Sequence, residues 1–183
     1  MIQIKRYFLF LILILLLSFS ISVGNTQTNQ ERVDYLLDQL QNPLDEESQQ
    51  EIKGAIIRIW QLAKSVEIQE KINQIGIFIR LKQYQEAEDF LTEIIMEQDD
   101  FLDAYYKRAI IHYYQAEIVK AEADLYKVLA IEPRHFDALK VLGLILEKQN
   151  KNVEAYNVYT ELHKILPYDE SVIKKLEKLN QAI

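Results

Sequence analysis

Apolar residues in this chain recur every three or four positions along stretches that are separated by polar turns. The spacing is clear near both ends, in Val33, Leu36, Leu37 and Leu40 and in Val172, Ile173, Leu176 and Leu179. It places apolar side chains on one face of an α-helix. Only four glycines and three prolines interrupt the 183 residues, and the strict alternation typical of strands is missing. The pattern predicts an all-α protein.

The N-terminal residues follow the order of a secretory signal. A pair of basic residues precedes an apolar run, which fades through small residues into a polar stretch. This order predicts a signal peptide over residues 1–24, cleaved after Ser22 or Gly24, and a polar linker over residues 25–30. Cleavage would give an exported protein, which we expect in the periplasm.

The alternative is an uncleaved anchor in the inner membrane that leaves the rest of the chain facing the periplasm. The apolar run reaches the lower edge of the ~20 residues that span a bilayer. Serines occupy the end of this run, where an anchor would carry leucine or tryptophan. Their presence favours cleavage.

A repeat of 34 residues organises the chain from residue 68 onward. Three registers carry it, and their members are Ala87, Ala121 and Ala155, then Leu91, Leu125 and Tyr159, and then Asp99, Pro133 and Pro167. Because proline cannot continue a helix, the last register marks the end of a unit. Each unit is therefore predicted as a helix, a tight turn, a second helix and a stop, over residues 68–99, 102–133 and 136–167.

The residues that recur in these units resemble the tetratricopeptide repeats. The last unit carries the family's Leu-Gly, Ala, aromatic and Pro positions as Leu142, Gly143, Ala155, Tyr159 and Pro167. The middle unit fits nearly as well, through Tyr105, Ala109, Ala121, Leu125 and Pro133. The first unit is divergent, since Gly76 lies one position late and Asp99 replaces the proline.

This resemblance, which extends to small exported bacterial repeat proteins, implies a right-handed solenoid of antiparallel helix pairs that binds another protein and has no enzyme activity. Gly143 is expected to face Ala155 across one pair, and Tyr159 to fill the space beneath the next unit. Helices outside the repeat are expected to cap both ends. These are an N-terminal helical hairpin over residues 31–67 and a C-terminal helix over residues 169–183.

Catalytic, cofactor and metal chemistry find no support in the sequence. Without cysteine, the chain has no thiolate nucleophile, no disulfide and no cysteine-bound zinc. Its three histidines, His112, His135 and His163, fall in separate units and are interpreted as ordinary half-buried side chains. Isolated glycines cannot build a phosphate-binding loop. We therefore expect neither a cofactor nor a metal site, and no enzyme activity.

The charge of the chain makes nucleic acid an unfavourable partner. The net charge is −7, and removal of residues 1–24 takes away two basic residues and no acid, which leaves −9. Such a surface repels a phosphate backbone, and no stripe of lysine or arginine offsets it.

A recognition surface is the remaining functional candidate. In repeats of this kind the first helix of each unit lines a concave groove, and its inward positions here include Ile72, Ile79, Tyr106, Ile110, Tyr113, Lys140 and Leu144. The middle helix is apolar nearly all round, so its rings either pack on a neighbouring repeat or meet a ligand. If they meet a ligand, Tyr106 and Tyr113 are the pair predicted to reach it. The Lys/Asn-lined groove with which some family members hold a peptide carboxylate has no clear counterpart.

These observations leave three candidate functions. The first is a non-catalytic scaffold or adaptor of the bacterial cell envelope that binds a protein or peptide segment in the concave groove. The second is a membrane-tethered assembly factor, which needs the N-terminal segment to stay attached. The third, an enzyme with an unrecognised site, is disfavoured because no paired acid and base emerge from the sequence.

Overall fold

The computed structural model describes residues 28–43 and 45–183. The predicted signal peptide and the first half of the predicted linker lie outside the described residues. The chain divides into two units, residues 1–34 and residues 35–183. In the described part of the first unit, Thr28 Oγ1 accepts a hydrogen bond from the Glu31 N–H at 3.2 Å, and Glu31 Oε2 accepts one from the Thr28 N–H at 2.7 Å. This reciprocal cap starts the first helix.

The described residues form nine helices, and no strand is found among them. The helices are α1 (Asn29–Leu40), α2 (Glu46–Trp60), α3 (Val66–Arg80), α4 (Tyr84–Glu97), α5 (Leu102–Tyr114), α6 (Ile118–Ile131), α7 (Phe136–Lys148), α8 (Asn152–Ile165) and α9 (Glu170–Asn180). The predicted all-α solenoid of helix pairs is confirmed. Its pairs are α3 with α4, α5 with α6 and α7 with α8, each packed on the next, and α9 packs on α8.

Small residues allow the two helices of a repeat to approach closely. Ala87, Ala121 and Ala155 have no exposed surface. A Cβ added to Gly143 on α7 would lie 2.7 Å from Cζ of Tyr159 on α8. The residue that requires a glycine here is therefore the Tyr159 ring, where the sequence suggested Ala155. The ring fills space inside its own repeat, and its hydroxyl donates to Glu147 Oε1 on α7 at 2.8 Å.

The turn inside each repeat has one left-handed residue. Lys82, Ala116 and Asn150 have φ of 59°, 61° and 59°, and they share the 34-residue register. In each turn the following N–H donates to a carbonyl five residues earlier, as Glu117 does to His112 at 2.8 Å. This closes the first helix with a Schellman-type end and reverses the chain within a few residues.

The N-terminal helices extend beyond the predicted bounds. α1 begins at Asn29, inside the predicted linker, and α3 begins at Val66, two residues before the first predicted unit. Within the described ranges, none of the helices is both long and apolar enough to cross a bilayer.

Candidate functional site: the concave groove

The groove is the face of the solenoid formed by the inward positions of α3, α5 and α7, and its residues differ in exposure. Ile72 is buried and Ile79 is half-buried, and both pack in the apolar cluster of the first repeat with Ile75 and Leu91. These two predicted groove residues therefore act in the core of the repeat. Further along, the groove residues Tyr106, Ile110, Tyr113 and Leu144 are half-buried, while Lys140 is exposed.

Helix α2 lies against the start of the later repeat helices. The Trp60 ring, at its C-terminal end, stacks on the His135 ring with centroids 4.2 Å apart and planes within 16°. Trp60 also contacts Phe136, the first residue of α7, with centroids 5.1 Å apart. Further back on α2, Lys53 Nζ lies 3.6 Å from Asp169 Oδ2 beside α9. The helix therefore runs from the start of α9 past the start of α7 toward α5. It follows the edge of the groove at which these helices begin.

His135 joins this contact to the groove. Its ring caps α7, because Nδ1 accepts a hydrogen bond from the Ala138 N–H at 3.1 Å. The side chain is buried, and this burial lowers its pKa from 6.5 to about 4. Its ring centroid lies 5.1 Å from that of Tyr106, whose own pKa is raised by burial. The His135 ring is therefore neutral and lies between the ring of Trp60 and the ring of Tyr106, a predicted groove residue.

Three aspartates line the groove edge that α2 covers. Burial raises the pKa of Asp103 and of Asp137 above the usual value for aspartate. Lys107 Nζ donates to Asp103 Oδ1 at 2.7 Å, and Gln61, just after α2, lowers the Asp103 pKa to a lesser extent. Burial would also raise the pKa of Asp169, but hydrogen bonds from Ser171 and the charge of Lys53 lower it overall. The groove is therefore acidic where it meets α2.

The other end of the groove carries an aromatic and basic group. The Lys148 ammonium donates to the Tyr113 hydroxyl and lies 4.4 Å from the centroid of the same ring. Tyr114, which is 62% exposed, stacks on Tyr84 with centroids 6.0 Å apart. The predicted pair Tyr106 and Tyr113 therefore lies in two different environments.

Behind the groove, a polar network joins α4, α5 and α6. Arg108 forms two 2.8 Å hydrogen bonds with Asp124, and Nδ1 of the buried His112 lies 3.0 Å from Glu117 Oε2. Ligand atoms of Glu88, His112 and Glu117 lie within 4.8 Å of one another. Cations already pair with these acids, since Lys120 lies 2.8 Å from Glu117. The arrangement is that of a salt-bridge network.

Sequence analysis missed this network because its partners come from neighbouring helices. The signal that could have revealed it is a histidine, an arginine and an aspartate at inward positions of two consecutive helices of one repeat.

Comparisons with known proteins agree with this architecture. No protein-family model matches the chain. A protein of Rhizobium etli, named as TPR repeat-containing, is 26% identical over 153 residues, which are 84% of this chain and 75% of the relative.

Two solved structures show the same fold. The first TPR of Spaghetti (RPAP3), bound to the HSP90 peptide SRMEEVD, has a TM-score of 0.59 at 19% identity and covers 66% of this chain and 95% of that one. The TPR domain of Arabidopsis OM64 has a TM-score of 0.58 at 20% identity, with coverages of 64% and 97%. Together with the 34-residue register of the helix pairs, these likenesses identify the chain as a protein of the tetratricopeptide-repeat fold.

Proposed function

We propose that this protein is a non-catalytic scaffold that binds a partner segment in its concave groove. The observation that carries the proposal is that the edge of this face already holds a helix, α2, through an aromatic stack and an ion pair. A surface that packs an amphipathic helix by side chains is the surface that helix-in-groove recognition needs. The groove also offers aromatic rings at Tyr106 and Tyr113, a residue type enriched among the strongest contacts of interfaces.

The charge of the groove argues for a ligand different from that of the solved relative. The peptide bound by Spaghetti, SRMEEVD, is acidic. In this chain Asp103, Asp137 and Asp169 lie along the groove edge, and like charges would repel an acidic segment. A neutral or basic partner segment is therefore favoured.

The proposed setting is the bacterial cell envelope. Its support is the basic, apolar and small order of residues 1–24. Mass spectrometry of the protein from its native source should show an N-terminus near Val23 or Asn25. Intact Met1 in the membrane pellet would favour the membrane-tethered assembly factor instead.

Site-specific crosslinking tests the proposed groove. A photo-reactive amino acid is placed at Lys140, which is exposed in the groove, and in a control at Tyr126, which is 54% exposed on α6. In cell extract of the source organism, the Lys140 probe should capture one discrete protein that the Tyr126 probe does not capture. Equal capture at both positions, or capture at Tyr126 alone, would place the binding surface outside the groove.

A further inference from the structure

Helix α2 is amphipathic, as a helix that binds in a groove would be. Its buried apolar residues, Ile52, Ile56 and Trp60, are spaced by four, while Glu51 and Arg58 on other faces are exposed. A lone helix of 15 residues is marginal in water, so its order depends on the surface against which it packs. The short segment 61–65 is not helical and joins α2 to the first repeat.

The contact between α2 and the groove is made by side chains. α2 does not make the close backbone approach that joins the paired helices of the repeats. Its attachments include the ion pair of Lys53 and the ring contacts of Trp60, which lie seven residues apart. The 34-residue pattern specifies contacts between neighbouring repeats and assigns no contact to α2, so the solenoid has its own core without it.

The fit of α2 in the groove is also incomplete. A cavity of 470 Å³ remains between the start of α2 and the connection from α8 to α9, with Gln49 and Tyr168 among its lining residues. Near the other end, the Asp103 side chain is 3% exposed, and the group that reaches it from beside α2 is the neutral Gln61. A helix that presented lysine or arginine there would give this carboxylate a charged partner that Gln61 does not supply.

We propose that α2 is a displaceable internal ligand of the groove, and that the partner is an amphipathic helix of the same kind that replaces it. This inference rests on the proposed function and specifies its ligand. The partner helix presents aliphatic residues and an aromatic residue at intervals of four, as Ile52, Ile56 and Trp60 do. It also carries lysine or arginine to meet Asp103, Asp137 and Asp169.

Competition with α2 sets a threshold for binding. A segment tethered by a short linker acts at an effective concentration in the millimolar range, so a weak external helix does not displace it. The partner must bind more tightly than the tethered α2 does. This requirement excludes helices that have the same apolar spacing as α2 but lack the lysine or arginine. The internal helix thereby raises the selectivity of the groove.

A peptide that copies α2 tests the proposal on the full chain. The probe is a fluorescent peptide of residues 45–61, and the variant Lys53→Glu weakens internal docking by placing an acid beside Asp169. The matched control is Arg58→Glu, the same type of charge reversal on the exposed face of α2. Fluorescence anisotropy should show at least about tenfold tighter binding to Lys53→Glu than to the wild type or to Arg58→Glu. The same peptide with Trp60→Ala should not bind.

Hydrogen exchange of the wild-type chain tests displacement without any substitution. Amides of α2 should exchange through a local opening, at least about a hundredfold faster than those of α6 and α7. Exchange of α2 at the rate of these helices would overturn the proposal, as would a helical, cooperatively melting Lys53→Glu chain that does not bind the peptide.

The failure of this inference differs from the failure of the proposed function. If the Lys140 probe captures a partner while α2 does not open, the groove binds beside α2, and only the inference is lost. If α2 opens and the peptide binds while no cellular protein is captured, the inference that α2 is a displaceable ligand is supported and the proposed function fails.

Discussion

At the scale of single residues, two glycines that each lie in the first helix of a repeat meet different surroundings. A Cβ at Gly143 would lie 2.7 Å from Tyr159, whose buried ring is held by Glu147, whereas a Cβ at Gly76 would lie 3.6 Å from the flexible end of Arg80. Gly143→Ala should lower the free energy of unfolding by ~1–3 kcal/mol through overpacking. Gly76→Ala should raise it by ~0.5–1 kcal/mol, because alanine favours the helix. Denaturant unfolding of both variants measures the difference, and a shift of the same sign in both would contradict it.

Ala116 is a non-glycine residue in left-handed backbone, with φ of 61°. This conformation costs roughly 1 kcal/mol that glycine avoids, less the entropy that glycine loses on folding. Ala116→Gly should therefore raise the free energy of unfolding by ~0.5 kcal/mol. The control Ala123→Gly, at an exposed position inside α6, should lower it by ~1 kcal/mol. Thermal melts that show destabilisation by both changes would argue against the left-handed turn.

Tyr106 and Tyr113 separate the packing and ligand interpretations of the middle repeat. Tyr106 packs near His135, so Tyr106→Ser should cost ~2–4 kcal/mol, or roughly 5–15 °C in melting temperature. Tyr113 contacts the exposed Lys148, so Tyr113→Ser should cost less than ~1 kcal/mol. Melts of the two single variants give the comparison, and equal losses would place both rings in the core.

At the scale of helices, the repeats were predictable and the docking of α2 was not. The three registers that include Ala121 and Leu125 recur because each repeat buries the same positions against its neighbours, so contacts close in sequence leave a periodic signal. The stack of Trp60 on His135 joins residues far apart in sequence, and α2 lies outside the repeat. No spacing in the sequence marks such a contact. The groove was therefore predicted as a surface, and the helix that lies at its edge was not.

The cap of α7 predicts how stability depends on pH. Burial lowers the His135 pKa to about 4 from its usual 6.5, so the unfolded chain binds this proton more readily than the folded chain. The stability that the folded chain has with a neutral His135 is fully present above pH 6.5. As the pH falls toward 4, the free energy of unfolding decreases by up to about 3 kcal/mol for this reason. The raised pKa values of Asp103 and Asp137 oppose this loss of stability in the most acidic part of the range. The reason is that a protonated, neutral carboxyl group is buried at a lower cost than a charged one.

Comparison with a variant isolates the histidine. Asparagine can cap the helix but does not titrate, so His135→Asn should show a shallower decline between pH 6.5 and pH 4. Urea unfolding at several pH values measures both slopes, and identical slopes would show that His135 does not cause the decline.

At the scale of the whole molecule, composition and the 34-residue repeat were sufficient to predict an all-α solenoid that uses a surface for binding. The net charge of −7 did not predict the acidic edge of the groove, because a net charge does not show where the acidic residues lie in the folded chain. Asp103 and Asp137 occupy the same place in consecutive repeats, and they bring two carboxyl groups together at the groove edge beside α2. That arrangement depends on the folded path of the chain.

The position of α2 near the start of the chain has a consequence for biosynthesis. Translation makes α2 before the residues that Trp60 and Lys53 contact, and the ion pair of Lys53 can form only when Asp169 has been added. Until His135 and Phe136 have been made, Trp60 lacks the rings that it contacts in the folded protein, and the nascent chain exposes this apolar side chain. Long-range closure of this kind carries a larger loop-entropy cost than the contacts between neighbouring repeats. A chaperone that recognises apolar helical segments could therefore bind α2 until the later repeats have been made.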